Sequence, residues 1–308
     1  IQRSRGLGDV YKRQIHYKGG CLLNENFGWG STMWSYSSRA PDPVLVGDDW
    51  RQMWLDRLRA EPFLPLRWLA HQNRDAYWQH GSVCEDYSAI TAAVLAVGGW
   101  GDAYKNAVPA LVENISAPVR GLTGPWVHKY PHFAVPEPRI GFLQEALRWW
   151  DHWLKGVDRG VMDDPDYTAY LMDGVRPQTW YDTRPGRWIG LRDWPQGPTV
   201  SDWQLRGDGT MQPADNATAS ADGDMNMIVA SPQDCGMDGG EYCAIWLGPE
   251  MPGDQRSDNA RSACFTSAIL TEDTDIVGAP SVRLRLCADA PAAPVSYTHL
   301  TLPTNGLV

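Results

Sequence analysis

The middle of the chain alternates between segments typical of buried strands and of amphipathic helices. Residues 89–97 are almost continuously apolar, which is typical of a strand covered on both faces. Residues 104–115 place apolar side chains at helical spacing, and residues 119–123 form a second short apolar run. Residues 140–154 again show helical spacing, with Gly156 as the predicted C-terminal cap. Strand, helix, strand, helix predicts an α/β fold with a parallel sheet.

The pattern before this region is less regular. Residues 15–40 are rich in Gly, Asn, Ser and Trp and show little periodicity, so we expect a loop region there. Residues 48–73 space large apolar side chains as a helix does, and two prolines divide them into short helices. Asp48 or Asp49 is the predicted N-cap of the first helix.

Helical spacing disappears from about Thr199 onward. Short strand-like pieces alternate there with Gly, Asp, Pro and Ser, and they cover residues 227–230, 242–247, 263–270 and 281–286. In the last piece apolar side chains alternate with arginines, as in a strand with one buried face. The sequence therefore predicts a second, all-β domain over residues 199–294.

The two ends of the chain are related to each other in an unusual way. Codons that can encode DVYKRQ at residues 9–14, read on the complementary strand, encode VSYTHL, which stands at residues 295–300. A sequencing-library adapter translated at both ends explains this relation, whereas folding does not; the alternative is a natural basic N-terminus and a proline-rich tail. We expect residues 1–14 and 295–308 to be adapter-derived, which makes residues 15–294 a fragment.

Composition and charge exclude several classes of protein. The chain has 27 Lys plus Arg against 37 Asp plus Glu, a net charge of −10, and such acidity opposes binding to nucleic acid. Apolar residues make up 43% and charged residues 21%, as in soluble globular proteins. The longest uncharged apolar run, near residues 90–100, is far shorter than the ~20 residues of a membrane helix. We expect no nucleic-acid partner and no membrane partner.

The 6 cysteines are scattered without the spacing of a metal site. No Cys-x-x-Cys or His-Glu-x-x-His motif occurs, so the sequence predicts no metal ligands. Isolated cysteines in a large core usually behave as small apolar residues. Cys235 and Cys243, in a glycine-rich stretch, could alternatively form a disulfide in an oxidising compartment. The cytoplasm is the expected location.

Two loops at predicted strand ends carry titratable side chains. Asp102 closes the sequence GGWGD after the first strand, and His128 closes GPWVH after the second. Reactive groups of α/β sheets lie at the carboxyl ends of strands, and adjacent strands would place these loops side by side. An aspartate that accepts a hydrogen bond from one imidazole nitrogen leaves the other nitrogen as a base. The alternatives are a helix N-cap for Asp102 and a loop residue packed on tryptophan for His128.

Four sequence motifs follow one another along residues 16–290. They are GGWGD at residues 98–102, GPWVH at 124–128, WWDHWLKG at 149–156 and DQRSDNAR at 254–261. Together they resemble the cocaine-esterase-like and X-Pro dipeptidyl-peptidase-like serine hydrolases, the CocE/NonD type. The resemblance implies an α/β-hydrolase domain over residues 15–198, with a helical cap at about 41–85, followed by a truncated jelly-roll domain. It also implies that Asp102 is the acid and His128 the base of a Ser-Asp-His triad that uses no cofactor.

The chain departs from this family at the nucleophile. No serine has glycine both two residues before it and two residues after it, and Ser31 is the nearest imitation. The family's nucleophilic serine precedes the region where this chain begins, so we expect these 308 residues alone to be inactive. Trp100 and Trp126 neighbour the two loops and are candidates for lining a substrate pocket.

These features predict a serine hydrolase that acts on a small ester or peptide substrate, by acyl-ester or X-Pro dipeptidyl-peptidase chemistry. Two alternatives remain open. One is a non-catalytic, tryptophan-rich binding module joined to a jelly-roll, in which Asp102 and His128 would lie apart without a hydrogen bond. The other is an acyl transferase or β-lactam acylase on the same fold. A homo-oligomeric assembly is also left open.

Overall fold

The structure of the chain is a computed structural model, and its described residues form two compact units. One unit comprises the described residues up to Ile90 together with Cys287, and the other comprises those from Thr91 to Arg283. The structure describes residues 16–18, 21–23, 25–80, 82–194, 202–214, 227–232, 234–241, 243–245, 247–283 and 287.

Helices dominate the first unit. An antiparallel pair of short strands precedes them, β1 (Tyr17–Lys18) and β2 (Cys21–Leu22). The α-helices that follow are α1 (Glu25–Ser37), α2 (Pro43–Val46), α3 (Trp50–Ala60), α4 (Leu64–Ala70) and α5 (Ala76–Gln79). Short 3-10 turns lie at Gly47–Asp49, Val83–Glu85 and Tyr87–Ala89.

The prediction of a loop over residues 15–40 is wrong for the middle of this range, where the chain forms the 13-residue helix α1. The sequence conceals this helix because its apolar residues do not gather on one face and because glycine lowers helix propensity. Gly30 is required by packing, since a Cβ there would lie 2.3 Å from Cγ of Pro65. The fully buried Asn26 holds the start of the helix, because its amide donates to the His16 carbonyl at 2.8 Å.

The short helices predicted over residues 48–73 are confirmed as α3 and α4, with changed ends. Pro65 lies in the first turn of α4, where a missing N–H costs little, so this proline begins a helix rather than breaking one. Asp49 directly precedes α3 as predicted, yet its side chain makes no capping hydrogen bond. Asp42 does cap a helix, since its carboxylate accepts from the Val44 N–H at 2.8 Å at the start of α2.

A four-stranded sheet organises the second unit. Its strands are β3 (Val94–Gly99), β4 (Val119–Gly124), β5 (Tyr167–Met172) and β6 (Gly186–Leu191), in that spatial order. The first three strands are parallel, and β6 runs antiparallel to β5. Helix α6 (Ala107–Asn114) connects β3 to β4, and α7 (Phe142–Lys155) lies between β4 and β5 in the chain. The predicted α/β arrangement is confirmed.

The core of this unit forms where α6 packs on β3 and β4. Val108, Leu111 and Val112 of α6 are buried. A Cβ at Gly121 of β4 would lie 2.5 Å from Cγ2 of Val112, so the missing side chain lets the helix approach the sheet closely. Full burial of each such valine or leucine stabilises the fold by about 1.5–3 kcal/mol.

Local features set the ends of these elements. The strand predicted at residues 89–97 begins later, at Val94, because Tyr87–Ala89 forms a 3-10 turn in which the Ser88 N–H donates to the Asp86 carboxylate at 3.0 Å. Helix α7 ends at Gly156 as predicted. The φ of 68° at Gly156 is the left-handed conformation that glycine adopts without strain, which satisfies the last carbonyls of the helix.

Among the described residues after 199, regular structure is sparse. An antiparallel pair of strands, β7 (Trp203–Leu205) and β8 (Met211–Pro213), is followed by a 3-10 turn at Met237–Gly239 and the short helix α8 (Arg256–Asn259). An isolated bridge joins Thr210 and Thr266. Within the described ranges, every helix of the protein is too short or too polar to cross a bilayer.

The predicted jelly-roll is not confirmed in the described residues. The strand predicted at 227–230 joins no ladder, and the one at 263–270 contributes a single bridge. Ile228 and Ile269 are 96% and 87% exposed, so these segments bury no apolar face of the kind that holds a sandwich together. The strands predicted at 242–247 and 281–286 lie partly outside the described residues. Both predicted adapter segments lie entirely outside them. The domain limits near residue 199 stay a prediction.

Candidate active site

The parallel pairing of β3 and β4 brings the two predicted loops to one edge of the sheet. The strands are in register, with Gly99 opposite Gly124 at their carboxyl ends. The pairing continues into the loops, where the Trp100 N–H donates to the Gly124 carbonyl at 2.9 Å and the Gly101 N–H donates to the Trp126 carbonyl at 2.9 Å. Backbone hydrogen bonds therefore hold the two loops side by side.

The side chains of Asp102 and His128 meet at this edge. Oδ2 of Asp102 lies 2.8 Å from Nδ1 of His128. The Asp102 side chain is 12% exposed and that of His128 is 43% exposed. An ionised carboxylate only accepts hydrogen bonds, so Nδ1 carries the proton and Nε2 of the neutral ring keeps its lone pair. The contact therefore fixes the tautomer of a partly exposed base.

The second carboxylate oxygen of Asp102 bonds the backbone of its own loop. Its Oδ1 accepts a hydrogen bond at 2.9 Å from the N–H of Tyr104, two residues on, which is an Asx turn. Helix α6 begins later, at Ala107, with Asn106 before it. One carboxylate oxygen thus shapes the loop and the other contacts the imidazole, whereas the alternative of a helix N-cap at Asp102 is wrong, because Asn106 holds that position.

Contacts from distant segments hold His128 in place. Its backbone N–H donates to the Ala244 carbonyl at 2.8 Å. Val127, directly before it, is buried in an apolar cluster with Val135 and Ala244. The Tyr104 ring stands edge-on to the imidazole, with 5.4 Å between the ring centroids. The Asp102 carboxylate and the Tyr104 ring therefore orient the imidazole, while the Ala244 carbonyl and the Val127 cluster hold its backbone.

Asp102 makes the imidazole a stronger base. Its hydrogen bond raises the pKa of His128 above the usual 6.5, and its negative charge adds to the rise. Partial burial and the charge of Lys129 act in the opposite direction. Because the folded-state pKa is raised, the pair stabilises the fold fully below the unfolded-state pKa. That contribution is lost as the pH rises through the folded-state pKa.

A second histidine–aspartate contact lies in the first unit. Nδ1 of His71 is 2.6 Å from Oδ2 of Asp75, four residues later, and this hydrogen bond is the main cause that lowers the pKa of Asp75. Oδ1 of Asp75 caps helix α5 by accepting from the Tyr77 N–H. The pair is a local contact at a helix start and lies at no strand end, so we do not assign it a catalytic role.

Replacing Asp102 by asparagine should lower the pKa of His128, because the amide keeps the shape of the carboxylate but cannot stabilise the imidazolium by charge. NMR titration of the His128 ring protons in the 308-residue chain measures this change. Asp75→Asn is the matched control, since it removes a carboxylate from His71 and should leave the pKa of His128 unchanged. A His128 titration that is identical in Asp102→Asn and the parent chain would contradict the contact.

The two tryptophans proposed as pocket candidates are both anchored through the indole N–H. Trp100 donates to the Tyr170 carbonyl and Trp126 to the Pro138 carbonyl, each at 2.8 Å. Trp126 is only 1% exposed, so in this chain it packs as a core residue, whereas Trp100 is partly exposed. Their assignment to a substrate pocket stays a prediction.

Cys243 lies beside the pair, and the sequence analysis missed it. Its Sγ, a carboxylate oxygen of Asp102 and an imidazole nitrogen of His128 all lie within 4.8 Å of one another. Cys243 is a thiol, so the alternative disulfide with Cys235 is not formed. The hydrogen bond from His128 to Ala244 brings these distant segments together, and no local spacing in the sequence reveals such a contact.

Two sequence models of one family match the chain. The model described as X-Pro dipeptidyl-peptidase (S15 family) matches residues 3–130, which include Asp102 and His128. The model described as the X-Pro dipeptidyl-peptidase C-terminal non-catalytic domain matches residues 159–298. Both matches occur in one chain and in this order, so they support a single family assignment.

Curated proteins of similar sequence agree with that assignment. The chain is 25% identical over 211 residues to a protein of Mycobacterium bovis named "Putative serine esterase", covering 66% of this chain and 30% of that protein. It is 24% identical over 245 residues to the cocaine esterase of a Rhodococcus species, covering 71% of this chain and 40% of the esterase. The chain thus spans 30% to 40% of the length of these curated relatives.

A solved structure of a CocE/NonD family hydrolase from Staphylococcus aureus aligns with 66% of this chain and 32% of its own length, at a TM-score of 0.45 and 13% identity. The family assignment rests on the sequence models and the curated relatives. One model matches the part of the chain that contains Asp102 and His128, and the other matches the part that follows them. The chain belongs to the cocaine-esterase-like and X-Pro dipeptidyl-peptidase-like family of serine hydrolases, the CocE/NonD type.

Proposed function

We propose that the complete protein hydrolyses esters or amides, with Asp102 and His128 as two members of a Ser-Asp-His triad. The observation that carries the proposal is the 2.8 Å contact between Oδ2 of Asp102 and Nδ1 of His128 at the carboxyl ends of two parallel strands. We assign the serine to a part of the protein outside these 308 residues, since the chain spans only 30% to 40% of its relatives' length.

His128 acts first as a base and then as an acid. Its Nε2 accepts the serine hydroxyl proton while the serine oxygen attacks the substrate carbonyl carbon, which gives a tetrahedral oxyanion. Collapse of this intermediate breaks the bond to the alcohol or amine, and Nε2 returns the proton to that leaving group. Water then attacks the acyl-enzyme, again with Nε2 as the base, which releases the carboxylic acid and restores the serine hydroxyl. No cofactor is consumed in this cycle.

Asp102 acts through His128 as a positioning residue. The proton between Oδ2 and Nδ1 fixes the tautomer and orientation of the ring. The negative charge of Asp102 stabilises the imidazolium that forms in the transition state, in agreement with the raised pKa of His128. Because the Asp102 side chain is 12% exposed, little water screens this charge, and its effect on the imidazole is correspondingly larger.

A non-catalytic binding module, the first alternative, would place no constraint on the distance between Asp102 and His128. Such a module does not require Asp102 and His128 to touch, so their hydrogen bond favours the catalytic assignment. Acyl transfer on the same fold differs from hydrolysis in the acceptor that attacks the acyl-enzyme. The first half-reaction is the same in both cases, so a probe of that step tests both.

A fluorophosphonate probe, which labels activated serines, tests the first half-reaction. We expect it to label one serine stoichiometrically in the complete enzyme, because His128 activates the hydroxyl, and not to label the 308-residue chain. Turnover of p-nitrophenyl esters or of X-Pro p-nitroanilides by the labelling-competent enzyme then separates esterase from dipeptidyl-peptidase activity.

Two outcomes of this experiment would contradict the proposal. Stoichiometric labelling of a serine in the 308-residue chain would show that the nucleophile was assigned to the wrong part of the protein. A complete enzyme that neither reacts with the probe nor turns over any ester or amide would remove the hydrolase assignment itself.

A further inference from the structure

Asp102, His128 and Cys243 together offer oxygen, nitrogen and sulfur atoms to one small volume. The three ligand atoms lie within 4.8 Å of one another. Four-coordinate zinc holds such atoms at about 2.0–2.3 Å, which places ligands of a tetrahedron roughly 3.3–3.8 Å apart. Side-chain adjustments of about 1 Å therefore suffice to bring all three atoms onto one ion.

The backbone sets up this arrangement without an ion. The His128 N–H bonds the carbonyl of Ala244, the residue next to Cys243, and Ala244 is itself buried at 2% exposure. Asp102 is oriented independently, because the Tyr104 N–H holds its Oδ1. The ligand-bearing residues thus come from three segments whose relative positions are already fixed, which lowers the cost of ordering them around an ion.

The donor set indicates the class of cation. Thiolate and imidazole suit zinc and similar borderline ions, whereas magnesium and calcium prefer oxygen ligands alone. The carboxylate and the thiolate together balance the two positive charges of a divalent ion. His128 is 43% exposed, so solvent can deliver the ion and fill a fourth position. We propose that Asp102, His128 and Cys243 form a binding site for a thiophilic divalent cation of the zinc class.

The consequence for catalysis rests on the proposed function. An ion bound to an imidazole nitrogen takes the lone pair that would accept the serine proton, or displaces the Asp102 hydrogen bond that fixes the ring. Metal binding and proton transfer by His128 therefore exclude each other, so the ion acts as a reversible inhibitor of the hydrolase. The site itself requires only the three side chains and not the activity.

Cobalt(II) is the probe that tests the site, because a thiolate bound to cobalt gives a charge-transfer band in the near ultraviolet. We expect the tag-free 308-residue chain to bind one cobalt ion with this band, and zinc to displace it. Cys243→Ser should abolish the band, and His128→Ala should weaken cobalt binding at least about tenfold, since loss of even an outer-shell partner costs about 10–100-fold in metal affinity. Cys235→Ser, which removes another partly buried thiol, is the matched control and should keep both the charge-transfer band and the affinity for cobalt.

A second measurement covers the case in which a variant folds poorly. Zinc should slow iodoacetamide alkylation of Cys243 in the unaltered chain, as mapped by mass spectrometry, and should not slow alkylation of the exposed Cys264. Absence of the charge-transfer band, or its survival in Cys243→Ser, would overturn the site whatever becomes of the hydrolase proposal. An ion that binds at Cys243 but leaves turnover of an active complete enzyme unchanged would overturn only the inhibitory role.

Discussion

Replacing His128 by alanine in the complete enzyme should reduce kcat/KM for its ester or amide substrate by about 10⁴-fold or more. In the proposed mechanism the imidazole is the base that Asp102 orients, through the contact of 2.8 Å between Oδ2 and Nδ1. Without it the serine must lose its proton to water during attack, and the leaving group must depart without a positioned acid. Steady-state kinetics with a chromogenic ester or anilide measures the loss, which should fall mainly on kcat.

Asp102→Asn tests the same mechanism at the residue that acts through His128. The amide can present its N–H to Nδ1, which would place the imidazole proton on Nε2 and leave no base for the serine. We expect a fall in kcat by about 10³–10⁴-fold that becomes smaller at high pH, with KM nearly unchanged. A merely structural role for Asp102 would instead lower thermal stability and raise KM without changing the pH profile.

His132→Ala is the matched control for these variants. His132 stacks on Phe142 with 6° between the ring planes, and it is not part of the Asp102–His128 contact. We expect activity within a few-fold of the parent enzyme. Near-parent turnover in His128→Ala, or an equal loss in His132→Ala, would reject the assignment of His128 as the base.

That the two site loops meet follows from the sequence because it depends mainly on strand order. Two short apolar runs separated by one amphipathic helix predict neighbouring parallel strands, and residues that follow both strands then share an edge of the sheet. The structure has this arrangement, with Gly99 opposite Gly124 and the Asp102 carboxylate bonded to His128. Helix α7 was predictable for a similar reason, since its spacing and its Gly156 cap are both local.

The features that sequence reasoning missed depend on contacts between distant residues. Helix α1 contains Gly30 because Pro65 of another helix packs against it, so the residue that disguises the helix has a tertiary cause. Cys243 reaches the site through a backbone bond between His128 and Ala244. Strand-like patterns after residue 199 predicted a sandwich, which the described residues do not confirm; Ile228, in one of the predicted strands, is 96% exposed, so a strand-like pattern alone does not supply a partner sheet.

Gly99→Ala should destabilise the second unit and separate the two loops that carry Asp102 and His128. A Cβ at this position would lie 2.1 Å from the Trp126 carbonyl oxygen and 2.7 Å from its carbonyl carbon, which are backbone atoms. Relief of that overlap requires the loops to move apart and weakens the bond from the Gly101 N–H to the Trp126 carbonyl. Overpacking usually costs about 1–3 kcal/mol, and we expect the upper end because no side chain can yield.

Thermal unfolding of the 308-residue chain measures this loss, which corresponds to a fall in Tm of roughly 6–12 °C. The pKa of His128 should fall in the same variant, because the strand ends no longer hold Asp102 against the ring.

Gly98→Ala is the matched control, one residue earlier in the same strand. Its Cβ would lie 2.9 Å from Cγ2 of Val108, a buried side-chain methyl of α6 rather than backbone of the neighbouring loop, so we expect a destabilisation of about 1 kcal/mol, at the lower end for overpacking, and no movement of the loops. The His128 titration should then be unchanged. Equal effects of the two substitutions would mean that strand propensity, rather than the close approach of β3 to the Trp126 backbone, limits this position. A normal Tm and a normal His128 pKa in Gly99→Ala would show that the sheet edge does not hold the two loops together.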